Sequence, residues 1–160
     1  MELAGSRLFI TGIGGFIGRR LAERALERGM AVAGLELSEQ AARAAREALG
    51  SDAEVRVGDV HDADLLADAM ACARVVVHTA AIVREDGDME EFRRVNVRGP
   101  VAVARAATAA GVGVFVHLSS IMVHGFEFPD DVAEDGPLRG ENNAYCQTKI
   151  ESEAALAELS

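Results

Sequence analysis

The chain has 160 residues, 49% of them hydrophobic, enough for one domain to bury a core. Its 26 acidic and 16 basic residues leave a net charge of −10, which excludes non-specific binding to nucleic acid or to an anionic membrane, since both need a basic field. Two cysteines without pairing or metal spacing, no charged-then-apolar leader and no apolar run of about 18 residues read as a soluble, cytoplasmic protein with reduced thiols.

Apolar, β-branched runs recur at 7–11, 30–36, 53–57, 74–79 and 112–118, and stretches rich in Ala, Leu, Glu and Arg lie between them. In the first of those stretches Ile17, Leu21 and Ala25 repeat every four residues, with Arg19, Arg20, Glu23 and Glu27 on other faces, which predicts an amphipathic helix. Strand and helix in strict alternation imply right-handed crossovers and a parallel sheet covered on both faces. Near-continuous apolar strands such as Val75-Val76-Val77 fit that burial. The fold expected is therefore α/β, a Rossmann-type doubly wound parallel sheet. Gly, Pro and acidic residues gather in 126–143, which reads as a long loop of the kind that is usually functional.

The first strand runs into Thr11-Gly12-Ile13-Gly14-Gly15-Phe16-Ile17-Gly18 and then directly into a helix. Gly12 permits a tight turn, Gly15 lets the backbone approach a pyrophosphate, and Gly18 allows helix and strand to pack closely. The helix N-terminus offers N–H groups and a positive dipole end, so an acidic protein still holds an anion there. Glu36 closes the second strand, where a carboxylate takes hydrogen bonds from the adenosine ribose and repels a 2′-phosphate. Arg19, Arg20 and Arg43 are the residues available to a 2′-phosphate, so the carboxylate favours NAD over NADP.

Tyr145 is the only tyrosine, and Lys149 follows it by four residues at the start of the last helical stretch, one turn away on the same face. A cation there draws the phenol toward ionisation, and a phenol so placed exchanges a proton with a substrate alcohol while hydride moves to or from a nicotinamide. Lys149 also suits a hydrogen bond to the nicotinamide ribose. The fifth strand ends in Leu118-Ser119-Ser120, at the carboxyl edge where such sheets bind ligands, and a hydroxyl there can polarise a carbonyl.

These residues together resemble the extended short-chain dehydrogenase/reductase family, the NAD-dependent epimerase/dehydratase group, over essentially the whole chain. The family's glycine turn corresponds to 11–18, with Gly12, Gly14, Gly15, Phe16, Ile17 and Gly18 at the cofactor, and its acidic strand-two residue to Glu36. The resemblance further implies that Asp59 and Val60 contact adenine, that the backbone of His78-Thr79-Ala80-Ala81 and Ser119 line the cofactor, and that Asn96, ahead of Gly99, supports catalysis. Ser120, five residues before Gly125, takes the place of the catalytic serine, with Tyr145 and Lys149 as the tyrosine–lysine pair. The implied enzyme interconverts a secondary alcohol and a ketone with NAD, as a dehydrogenase or as the first step of sugar-nucleotide epimerisation. Its substrate would be a small alcohol, a sterol or a nucleotide sugar.

The departures narrow this. Dehydratases of the family place an Asp-Glu pair where this chain has Ile121 and Met122, so sugar 4,6-dehydration is not expected. His124 stands where the family commonly has a tyrosine, and we expect it to be packed or solvent-facing rather than at the substrate. His78 is expected to be structural, and His61 and His117 have no acid, cysteine or histidine partner that suggests a metal site. Chains of the family continue past the tyrosine–lysine helix, whereas this sequence stops at Ser160. The expectation is an NAD-binding domain over 1–160, incomplete and without the C-terminal substrate domain, that self-associates as a homodimer through the helices around 96–110 and 145–159. The alternative is a dinucleotide-binding module without catalysis, or an inactive fragment.

Overall fold

The computed structural model describes residues 4–84, 87–127, 131–140 and 143–159. The chain groups into two compact units, Met1–Ala80 with Ala102–Leu118, and Ala81–Val101 with Ser119–Ser160.

The first unit is built on five parallel strands, β1 (Arg7–Thr11), β2 (Ala31–Glu36), β3 (Ala53–Val57), β4 (Ala73–His78) and β5 (Val114–His117), in the order β3-β2-β1-β4-β5. Alternation along β1 divides the core between two faces. Leu8 and Ile10 join Val32, Val55 and Val77 under α1 (Phe16–Glu27) and α2 (Glu39–Leu49). Phe9 joins Ala33, Leu35 and Val76 with Leu66 and Ala69 of α3 (Ala63–Ala69) and with Val103 and Ala107. Both faces of the sheet are thus covered, as a doubly wound fold requires.

Two details differ from the sequence pattern. The apolar Met30 and Val112 extend the expected strands, but their N–H groups bond to the carbonyls of Ala25 and Ala107, so each ends a helix instead. On α1 the buried residues are Gly18, Ala22 and Ala25, while Ile17 is 52% exposed and Leu21 only partly buried. Small side chains let the helix lie close to the sheet, and that rotation moves the bulky Ile17 out of the core.

The second unit contains α4 (Met89–Arg93), a π-helical turn at Arg94–Arg98, the start of α5 (Gly99–Ala109), a 3₁₀ turn at Ile121–His124 and α6 (Ala144–Ala157). Asp88 and Asn143 cap α4 and α6 by accepting from the Glu91 and Cys146 N–H groups. The described part of 126–143 holds bends and turns with no helix or strand. No helix among the described residues is long and apolar enough to cross a membrane.

Candidate functional site

The glycine turn belongs to the first unit. Gly12 takes φ +73°, a left-handed conformation that favours glycine, and a Cβ there would lie 2.9 Å from the Ala80 nitrogen. At Gly18 a Cβ would collide with the Gly12 carbonyl. The turn is braced from β4: the Thr79 hydroxyl donates to the Thr11 and Gly12 carbonyls at 2.8 and 3.2 Å, and Thr11 Oγ1 lies 2.7 Å from His78 Nδ1. Gly14 is a glycine for a local reason, since a Cβ would press on the Ala41 carbonyl at 2.9 Å and on Glu36.

At Gly15 a Cβ would meet only the Gly12 oxygen, at 3.2 Å, so its absence keeps a surface open rather than relieving the core. Gly15 is also the N-cap of α1 and provides no side-chain cap, whereas Ser38, Asp62, Asp88 and Asn143 each cap their helices. The Gly15 N–H bonds to Gly12 and the Gly14 N–H to the Glu36 carboxylate, which leaves the first-turn N–H groups of Phe16 and Ile17 for a ligand. An uncapped helix start on an open glycine turn fits a pyrophosphate. Phe16 is 88% exposed beside it. Asp59 and Val60 follow β3, where Asp59 Oδ1 accepts from the His61 N–H at 3.0 Å and Val60 packs partly against the core.

His78 and His117 form a pair that spacing along the chain did not suggest. The parallel register sets them opposite each other on β4 and β5, and their rings stack with centroids 5.6 Å apart. His78 is fully buried, and His117 has a histidine neighbour after all.

Asn96, Ser119, Ser120, Tyr145 and Lys149 all belong to the second unit, as does Ala81. Asn96 sits in the π-helical turn, 1% exposed, with its amide fully employed. Its Oδ1 accepts from the Ile82 N–H at 2.8 Å, and its Nδ2 donates to the Ile82 carbonyl at 3.0 Å and to Thr148 Oγ1 at 3.2 Å. Thr148 is buried and donates to the Ala144 carbonyl at 2.7 Å. Asn96 and Thr148 thus clamp the segment after β4 to α6 one residue before Lys149. Sequence reading missed Thr148, because a helical threonine bonding back to its own previous turn carries no motif.

Ser120 begins the 3₁₀ turn, its Oγ accepting from the Met122 N–H at 3.2 Å, which leaves its own proton to donate. Ser119 donates to the carboxylate of Glu153, another residue the sequence reading passed over. His124 is packed, 6% exposed, with Nδ1 3.2 Å from the Pro137 carbonyl. Tyr145 is half-buried on the first turn of α6. Lys149 is the only lysine in the chain and is 3% exposed. Burial lowers its pKa from the usual 10.5 to about 8, against an opposing pull from Glu153. A long cationic side chain is normally at the surface, so this burial marks it for a local task.

A glycine turn of this shape between β1 and α1, with an acidic residue closing β2, defines a dinucleotide-binding Rossmann domain. The family model described as "NAD dependent epimerase/dehydratase family" matches residues 8–160, and the chain belongs to that family. Among curated relatives, a UDP-glucose 4-epimerase of Mycolicibacterium smegmatis is 36% identical over 159 residues, covering 94% of this chain and 50% of that protein. A 3 beta-hydroxysteroid dehydrogenase/Delta 5-->4-isomerase of Mycobacterium tuberculosis is 32% identical over 156 residues, covering 92% of this chain and 41% of that protein. The crystal structure of the Bordetella bronchiseptica enzyme WbmH in complex with NAD+ superposes with a TM-score of 0.81 at 30% identity, covering 96% of this chain and 53% of that one. The chain spans about half the length of the relatives it matches. The family is NAD-dependent, in line with the glycine turn and Glu36.

Proposed function

We propose that this chain supplies the cofactor-binding and acid–base residues of an NAD(H)-dependent enzyme that interconverts a secondary alcohol and a ketone, either as a dehydrogenase or as the first step of a sugar-nucleotide epimerisation. The observation that carries this reading is the single, buried lysine one helical turn after the single tyrosine. Gly12, Gly14, Gly15, Phe16, Ile17 and Gly18 would hold the pyrophosphate of NAD and Glu36 its adenosine ribose, with Asp59, Val60, the 78–81 backbone and Ser119 as further contacts. Bound NAD+ supplies the acceptor for the two electrons that leave the alcohol carbon. Tyr145 takes the hydroxyl proton during oxidation and returns it during reduction. Lys149 keeps a positive charge beside the phenol and orients the ribose. Ser120 donates a hydrogen bond to the substrate oxygen, keeping its proton, and stabilises charge gathering there. Asn96 acts at one remove, through Ile82 and Thr148.

The substrate is an alcohol, sterol or nucleotide sugar, and relatives of both the steroid and the sugar-nucleotide kind favour testing those two first. The experiment is a panel of UDP-sugars and hydroxysteroids with NAD+, followed by NADH absorbance and by NMR of the sugar product. NADH release with a hydroxysteroid, or an inverted carbon in the sugar, supports the reading. Tight NAD+ binding with no turnover of any alcohol would favour a binding module instead. We also propose that two copies pair through the helices around 96–110 and 145–159.

A further inference from the structure

Glu153 stands four residues after Lys149 on α6, one turn along the same face. Its carboxylate accepts a hydrogen bond from the hydroxyl of Ser119, the residue beside Ser120. Burial works against a charge on Lys149, and Glu153 is the group that works for it. Among the described residues, most ionisable groups of the elements packed against α6 have partners of their own. Arg93 holds Glu151 through three hydrogen-bond contacts of 2.8–3.3 Å, and Arg98 pairs with Glu90 at 2.7 Å. Glu91 pairs with Arg84, His124 faces the Pro137 carbonyl, and Arg94 is exposed.

We propose that Glu153 is a positioning residue for Ser120, Tyr145 and Lys149: its one carboxylate ties the Ser119–Ser120 segment to α6 and holds Lys149 as an ammonium rather than a neutral amine. The inference rests on the reading that these three residues carry the proton transfer. A neutral Lys149 would no longer favour the tyrosinate. A loosened Ser119 would release the segment that aims the Ser120 hydroxyl, and a misplacement of about 1 Å is enough to slow catalysis severely.

Because the chain has one lysine, protein labelled with ¹³C at the lysine Cε gives a single side-chain signal whose pH titration reports Lys149 alone. Glu153→Gln should lower the midpoint by about half a pH unit or more, while Glu153→Asp, which keeps the carboxylate, should restore most of it. A folded Gln variant with an unchanged midpoint overturns the proposal. The titration needs no substrate, so the same comparison holds whether or not the chain turns an alcohol over. In turnover assays at saturating NAD+, Glu153→Gln, whose amide oxygen still accepts from the Ser119 hydroxyl, should lose roughly threefold or more near pH 9 and recover near pH 6.5, where the lysine is charged in both proteins. Uniform loss at every pH would mean a merely structural role. The midpoint does not depend on turnover, so an inactive chain in which Glu153→Gln lowers it speaks against the reaction and not against the coupling.

Discussion

The carboxylate of Glu36, at the end of β2, accepts a hydrogen bond from the backbone N–H of Gly14 inside the phosphate-binding turn. One side chain therefore shapes the turn and presents negative charge beside it. Glu36→Ala should weaken NAD+ binding by roughly tenfold, about 1.4 kcal/mol, and raise the relative affinity for NADP+ by removing the repulsion of a 2′-phosphate. Titration of both cofactors by calorimetry checks this; an unchanged NAD+/NADP+ ratio would contradict it.

Lys149 predicts a pH dependence of stability. Its folded pKa of about 8 lies below the ordinary 10.5, so between those values the unfolded chain binds more protons and stability rises with pH. The buried Cys146 thiol, pushed up by burial, acts in the opposite sense once the unfolded thiol ionises. The comparison is therefore wild type against Lys149→Met. Urea melts near pH 7.5 and near pH 10.5 should show the wild type gaining on the variant, by at most roughly 3 kcal/mol. A constant difference would mean that Lys149 is not perturbed.

The two thiols should separate cleanly. Cys72 is exposed and adopts φ +61°, a left-handed conformation uncommon for a side-chain-bearing residue, while Cys146 is 1% exposed. A thiol reagent should modify Cys72 in the folded protein and reach Cys146 only on unfolding. Cys72→Gly should hold or raise stability by about 0.5–1 kcal/mol, read by thermal melts.

Among the described residues β5 forms one edge of the sheet, with Val114 and Val116 38% and 40% exposed. An apolar edge strand invites pairing with another chain. Val116→Lys should lower any association beyond the helix-paired dimer in light scattering at raised concentration, without a loss of stability. If aggregation is unaffected, the edge is not where chains meet.

The sheet was legible because β-branched runs and glycines report local conformation, and the glycine turn could be read residue by residue. What escaped was set by registers between elements. Nothing along the chain announces that His117 lies opposite His78, because one residue of slip in a parallel pair would separate them. The clamp of Asn96 on Ile82 and Thr148 depends on the π-helical turn at Arg94–Arg98, which hydrophobic periodicity does not signal. Ile17 was misplaced on the core face because Gly18 and Ala22, poor in hydrophobic signal, let the helix approach more closely than larger side chains would.

The central claim is that Tyr145 moves the substrate proton. The direct measurement is turnover of Tyr145→Phe beside its NAD+ affinity, on a substrate that the wild type oxidises. Removing the phenolic oxygen should cost about 10²- to 10⁴-fold in kcat and leave the Kd for NAD+ within about twofold. Wild-type turnover in the phenylalanine variant would contradict the assignment.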